Sequence, residues 1–243
     1  MVQFIPVLER GETRMKKVLV TGATGCIGEA IVRYFAKEGY FVYIHYKSQK
    51  EKALALLEEI KNGEIIQFDI TQKEDVKKAL ESLHVNVLVN NAGITKDKLF
   101  FFMEEDEWNS VMDANLNSLF YVTKQILPNM IKEKEGSIVN VSSISGLVGN
   151  GGQVNYSTTK GGMIAFTKAL CVEVARYNIR VNAVAPGVIE SEMIHNVDKN
   201  ITNIIPCKRL GKPEEVAEVV FFLGDKATYV NGEVINISGG MVR

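Results

Sequence analysis

Lys17-Val18-Leu19-Val20-Thr21-Gly22-Ala23-Thr24-Gly25-Cys26-Ile27-Gly28-Glu29-Ala30-Ile31-Val32 is a strand pattern, a glycine turn and a helix pattern in immediate succession. Val18 to Val20 form an apolar run of strand length, and from Ala30 onward apolar residues recur every three or four positions, the spacing of a buried helix face. Glycines at such a junction let the backbone approach a pyrophosphate, which the free N–H groups and positive dipole end of the helix then hold. The glycine string alone occurs in many tight turns; its place after a first strand and before a helix gives it meaning.

The same alternation continues outward. Short apolar runs stand at 41–46, 64–68, 86–91, 137–142, 180–185 and 233–238, with helical periodicity at 30–39, 51–63 and 74–83 between them. Continuous apolar strands joined through helices imply a parallel sheet covered on both faces. The expected fold class is therefore α/β, a single doubly wound Rossmann-type domain over 15–243 with about seven parallel strands and helices on both faces. Two longer helices are expected to frame a site. One runs from near Glu104 to about Lys134 with a bend before Pro128; the other covers Val154 to Tyr177 and carries Gly161 and Gly162, which suit the close approach of a neighbouring helix.

Composition bounds the rest. The 243 residues carry 28 Lys+Arg against 29 Asp+Glu, a net charge of −1, and 46% are hydrophobic, so the chain can build a core and lacks the basic excess of a nucleic-acid or membrane-surface binder. No apolar run approaches the roughly 18 residues of a membrane span. Cys26, Cys171 and Cys207 are too scattered for a disulfide framework or a zinc site, so no metal is expected and a cytoplasmic setting is. Residues 1–14 resemble no secretory signal and precede Met15 and the first strand, so they are set apart as an N-terminal extension.

The end of the second strand reads Tyr46-Lys47-Ser48, without the acid that accepts from the ribose 2′-OH in an NAD site. A cation and a hydroxyl suit a 2′-phosphate instead, which favours NADPH over NADH. His45 reads as a strand-end residue. Farther along, Tyr156 and Lys160 stand four apart on one helix face. A nearby ammonium favours phenolate and is expected to lower the tyrosine pKa, fitting Tyr156 for proton transfer to a carbonyl oxygen. Ser143, at the end of an earlier strand, adds a hydroxyl for the same oxygen.

With these residues in order, the chain resembles the short-chain dehydrogenase/reductase family from Lys17 to Val242. The likeness is carried by the glycine turn, Asp69, Asn90-Asn91-Ala92-Gly93, Asn115, Ser143, Tyr156, Lys160 and Pro186-Gly187, and within the family it is greatest to the β-ketoacyl-carrier reductases through 149–156, 189–193 and 209–217. The resemblance implies catalytic Asn115, Ser143, Tyr156 and Lys160. Tyr156 would be the general acid, Lys160 would hold the nicotinamide ribose, Ser143 the substrate oxygen, and Asn115 a water in the proton relay.

The dinucleotide would lie along Gly22, Thr24, Gly25, Ile27, Gly28, Tyr46, Lys47, Ser48, Asp69, Ile70, Asn91, Ala92, Gly93, Tyr156, Lys160, Pro186, Gly187, Ile189 and Ser191. Asp69 would face the adenine and Asn91 the adenine ribose region. Substrate would meet Ser143, Gln153 and Tyr156 under a lid at about 190–206. The implied reaction is NADPH-dependent reduction of a 3-oxoacyl thioester on acyl carrier protein, with a homotetramer as the implied assembly.

Lys134 and Arg176 are the expected docking cations for the acidic carrier, near the mouth of the site. Cys26 departs from the family turn, standing where its middle glycine does. A thiol at a helix N-terminus can have a lowered pKa, and simple packing is the other reading. Leu99-Phe100-Phe101-Phe102 reads as packing beside a helix start, with acyl-channel lining or a subunit contact as the alternatives. The same ketoreduction in a polyketide or aryl-polyene pathway, an NAD(P)-linked dehydrogenase of a free alcohol or sugar, and a catalytically silent nucleotide sensor are the competing functions.

Overall fold

Seven parallel strands form one sheet in the order β3-β2-β1-β4-β5-β6-β7 in the computed structural model, which describes residues 15–191 and 201–242. They are β1 (Lys17–Val20), β2 (Phe41–Tyr46), β3 (Gly63–Gln67), β4 (Val87–Asn90), β5 (Gly136–Val141), β6 (Ile179–Pro186) and β7 (Val234–Ile237), each within an apolar run or within a residue or two of one. The extension at 1–14 lies outside the described residues, as does most of the expected lid, at 192–200.

Helices cover both faces because the strands are apolar on both. On one face α1 (Cys26–Lys37), α2 (Lys50–Ile60) and α9 (Pro213–Phe221) contribute Ile31, Phe35, Leu56, Val216 and Val220 to a core with Val18, Val42, Val89 and Val139. On the other, α3 (Lys73–Leu80), α5 (Ser118–Glu133) and α7 (Val154–Val174) bring Val76, Leu80, Ile126, Met130 and Val174 against Leu19, Leu88, Ile138 and Val181. Three shorter helices, α4 (Glu105–Met112), α6 (Ser145–Val148) and α8 (Ile201–Ile204), complete the described helices named here.

The first long helix differs from its expected form. α4 begins after Glu104 in a capping box in which the Glu104 N–H donates to the Glu107 carboxylate at 2.9 Å. It passes into α5 through a widened π turn at Asp113–Asn117, and the helix then continues through Pro128. The irregularity therefore falls at Asn115 rather than before the proline, as π turns often do at functional positions. The paired glycines of α7 serve close approach, as their spacing predicts: a Cβ on Gly162 would stand 3.1 Å from Leu116 of the π turn.

Packing is the wrong reading for the aromatic run. Leu99, Phe100, Phe101 and Phe102 are 62%, 66%, 89% and 58% exposed. Residues 100–102 form a single tight turn that projects from the body, with Phe101 and Phe102 edge to face at 5.1 Å.

Candidate active site

In a sheet whose strands all run the same way, the carboxyl ends meet on one side, and the strand order reverses between β1 and β4. A cleft of about 1430 Å³ opens there. Gly22, Thr24, Gly25, Ile27 and Gly28 line it from the turn and α1. Tyr46, Lys47 and Ser48 come from the end of β2, Asp69 and Ile70 from beyond β3, Asn91, Ala92 and Gly93 from beyond β4, and Pro186, Gly187, Ile189 and Ser191 from the end of β6. Ser143, Gln153, Tyr156 and Lys160 line the same cleft, and α8 adds Ile204.

The glycine turn is built for close approach. Gly22 has φ of +60°, and a Cβ on Gly28 would lie 2.3 Å from the Gly22 carbonyl oxygen, so neither position admits a side chain. Gly25 caps α1 without a side chain, leaving the first turn of the helix open to an anion. Thr21 Oγ accepts the N–H groups of Asn91 and Ala92 at 3.0 and 3.1 Å. Asn91 Nδ2 donates to the carbonyls of Thr21 and Gly22, both at 3.0 Å, so its amide nitrogen braces the turn while the residue lines the cleft. The Cys26 thiol is exposed and points its Sγ to the Glu190 carbonyl at 3.1 Å.

His45, read from sequence as a plain strand-end residue, is buried against this turn. Its Nδ1 accepts the Gly22 N–H at 3.0 Å and its Nε2 lies 3.1 Å from the Phe68 carbonyl. Burial pushes its pKa down to about 4, with the Phe68 carbonyl and Asp69 opposing, so the imidazole is neutral. No local signal could have found this contact, since it joins residues 23 apart through strand register.

At the far end of β2, Lys47 Nζ pairs with Asp69 at 2.7 Å. Burial works against the Asp69 carboxylate, but Lys47 and two donors from Thr71 hold it below the usual range. The Lys47 head group is thus already engaged at this end of the cleft.

The opposite end of the cleft holds the reactive groups. Tyr156 and Lys160 project from the first turns of α7, and Ser143 follows β5. Lys160 is buried, donates to the Val141 carbonyl at 2.8 Å and sits 5.6 Å from the centre of the Tyr156 ring. Burial lowers its pKa to about 8. The tyrosine departs from expectation: burial raises the phenol pKa, Ser143 pulls it down, and Asp97 raises it further, while Lys160 has no part in the shift. An ammonium that is itself desolvated and bonded to a carbonyl is a weak neighbour for a phenolate.

Asn115 lies just beneath the cleft lining. Its Oδ1 accepts the Ile94 N–H at 2.8 Å, and its Nδ2 donates to the Ile94 carbonyl at 2.9 Å and to Thr159 Oγ at 3.2 Å. Gly93 separates it from Lys160: a Cβ there would stand 3.1 Å from Asn115 Oδ1 and 3.5 Å from Lys160 Nζ. Gln153 lines the cleft, but its amide is held at both ends, donating to Asp97 at 2.7 Å and accepting from Ser145 at 3.1 Å.

Lys134 and Arg176 come near one another, since Asn178, two residues after Arg176, donates to the Lys134 carbonyl at 3.2 Å. Both precede the first residues of β5 and β6, so they stand at the amino ends of the strands, away from the cleft. The expectation that they border this chain's own site mouth is corrected by that placement. Among the described residues no cluster suited to a metal ion occurs, and no helix is long and apolar enough to cross a membrane.

Comparison with known proteins places this geometry. The chain is 45% identical to the 3-oxoacyl-(acyl-carrier-protein) reductase of Aquifex aeolicus, with 93% of this chain and 97% of the relative covered. Proteins of the same description from Thermotoga maritima and Staphylococcus epidermidis are 43% and 42% identical, each covered over 98% of its length by 93% of this chain. A family model described as short chain dehydrogenase matches residues 16–202, from before β1 into α8. With its cleft formed from the matched strands and its likeness running nearly end to end, the chain belongs to the short-chain dehydrogenase family.

Proposed function

We propose that the protein reduces the C3 ketone of a 3-oxoacyl thioester, carried on acyl carrier protein, to the 3-hydroxyacyl product with NADPH, in fatty-acid biosynthesis. One observation carries the reading: a half-buried tyrosine, a serine hydroxyl and a buried lysine line the same cleft as a glycine turn and an open helix N-terminus. The names of the relatives given above supply the substrate class.

The residues present suit a dinucleotide. A Cβ at Gly28 would collide with the Gly22 carbonyl, so glycine there keeps the turn tight beneath the open start of α1, and Lys47 and Ser48 offer a cation and a hydroxyl for a 2′-phosphate, with no acid at the end of β2. When bound, the dinucleotide supplies the hydride that becomes the new C3–H bond. This chain's part is proton delivery and alignment. Tyr156, protonated at neutral pH and kept so more firmly by its burial, gives its phenolic proton to the carbonyl oxygen, and the Ser143 hydroxyl holds that oxygen in line. Lys160 anchors the nicotinamide ribose. Asn115 carries the proton route onward through a water, for which its Oδ1 keeps a second lone pair beside the Ile94 bond.

The proposed assembly is a homotetramer. The exposed aromatic turn at 99–102 and the open edge of β7 are the surfaces that favour association. Lys134 and Arg176 remain the proposed carrier dock; since they stand away from this chain's own cleft, the cleft they serve is that of another copy in the tetramer.

Product analysis tests the reaction. Mixed with NADPH and an acetoacetyl carrier protein, the enzyme is expected to yield the 3-hydroxybutyryl carrier, and Tyr156→Phe is expected to lower turnover by about 10²–10⁴-fold while NADPH still binds. Absence of product, or full turnover by Tyr156→Phe, overturns the assignment.

A further inference from the structure

Of the groups that hold the glycine turn, His45 is the one that no sequence motif explains. The peptide unit between Thr21 and Gly22 is clamped at both ends. Its carbonyl accepts from Asn91 Nδ2 at 3.0 Å, on the β4 side, and its N–H donates to His45 Nδ1 at 3.0 Å, on the β2 side. The next N–H, that of Ala23, donates to the His45 carbonyl at 3.0 Å, so one residue of β2 fixes two successive amides of the turn. An N–H is only a donor, so Nδ1 must be the acceptor; the ring proton therefore lies on Nε2 and donates to the Phe68 carbonyl at 3.1 Å. Phe68 also lies against the imidazole, 4.0 Å between ring centres, which fixes the plane of the ring.

Gly22 has φ of +60°, and glycine passes between positive and negative φ with little steric resistance. A peptide preceding such a residue flips easily unless both of its polar ends are bound. A flipped peptide would turn a carbonyl where the N–H now points and would reshape the loop that carries Gly25 and the start of α1.

The geometry points to His45 as a positioning residue for the dinucleotide: through its neutral Nε2–H tautomer it locks the Thr21–Gly22 peptide and so sets the loop against which the pyrophosphate binds. This rests on the reading of the cleft as a dinucleotide site. His45 does not enter the proton chemistry, so its loss weakens dinucleotide binding and leaves the chemical step largely intact.

Two substitutions separate its two hydrogen bonds. His45→Asn keeps an acceptor where Nδ1 stands but is too short to reach the Phe68 carbonyl; His45→Gln reaches that carbonyl but leaves Gly22 without its acceptor. The readouts are the dissociation constant for NADPH by fluorescence titration of the whole protein, the KM for NADPH and kcat. The expected result for His45→Asn is a dissociation constant within about threefold of the parent, and for His45→Gln one raised by about tenfold or more, with kcat within about threefold. Equal constants for the two variants overturn the role, because a residue that only fills space would not distinguish them. Should His45→Gln unfold, His45→Asn still decides: a tenfold or greater loss of affinity in it overturns the role, and retained affinity supports it. Wild-type protein that binds neither NADPH nor NADH would instead remove the dinucleotide reading itself.

Discussion

A tyrosine that must give a proton to a carbonyl oxygen serves best while it still holds one. Burial keeps the Tyr156 phenol protonated beyond its ordinary 10.0, whereas burial brings the neighbouring Lys160 down to about 8. The signs differ in effect. Raising pH through the neutral range leaves the acid loaded, and the first group to lose its proton is the lysine. For reduction, kcat/KM reports the free enzyme, so it is expected to hold steady from pH 6 and to fall with a midpoint near 8. In Lys160→Arg, whose guanidinium does not titrate there, that fall is expected to vanish. Tyr156, Lys160 and Ser143 were legible in the sequence because local spacing and a strand end place them. The source of the tyrosine's pKa was not: the (i, i+4) spacing shows a lysine nearby, but not that its ammonium is buried and bonded to the Val141 carbonyl.

Elements bring these residues together through close packing. A Cβ on Gly146 of α6 would lie 2.6 Å from the main-chain carbon of Lys160, so α6 can lie against α7 only with glycine there. Gly146→Ala is expected to destabilise the fold by about 1–3 kcal/mol and to lower turnover by displacing Lys160 and Ser143 together. Thermal unfolding and kcat measured on the same preparation check both effects. The seven strands were legible because a parallel sheet buried on both faces makes each strand a continuous apolar run. The π turn at Asp113–Asn117 was not, because over five residues there are too few apolar positions to reveal a one-residue change of phase. A proline in sequence draws the expected bend to itself, yet the turn that seats Asn115 lies upstream. The buried ladder from Asn90 to Asn140 at 2.9 Å and on to Thr167 at 2.8 Å was likewise hidden, because it needs the register that places Asn90 beside Asn140.

The molecule as a whole has two ends. Cleft, turn and reactive groups lie at the carboxyl ends of the strands, while Lys134 and Arg176 stand at the amino ends. On the proposal that the carrier docks at those cations, the cleft it reaches is another copy's, and sedimentation is expected to find four chains per particle. Reversing both charges, as Lys134→Glu with Arg176→Glu, is expected to raise the KM for a carrier-bound substrate by about tenfold at low salt and to leave a free 3-oxo ester unaffected. An unchanged KM for the carrier-bound substrate at low salt would place the dock elsewhere. The central claim, reduction of a carrier-bound 3-oxoacyl group by NADPH, is tested most directly by steady-state kcat/KM for NADPH and NADH on acetoacetyl-carrier protein and on a free 3-oxo ester. The account predicts that NADPH exceeds NADH by about tenfold or more and that the carrier-bound substrate exceeds the free ester; turnover that prefers NADH, or that ignores the carrier, would contradict it.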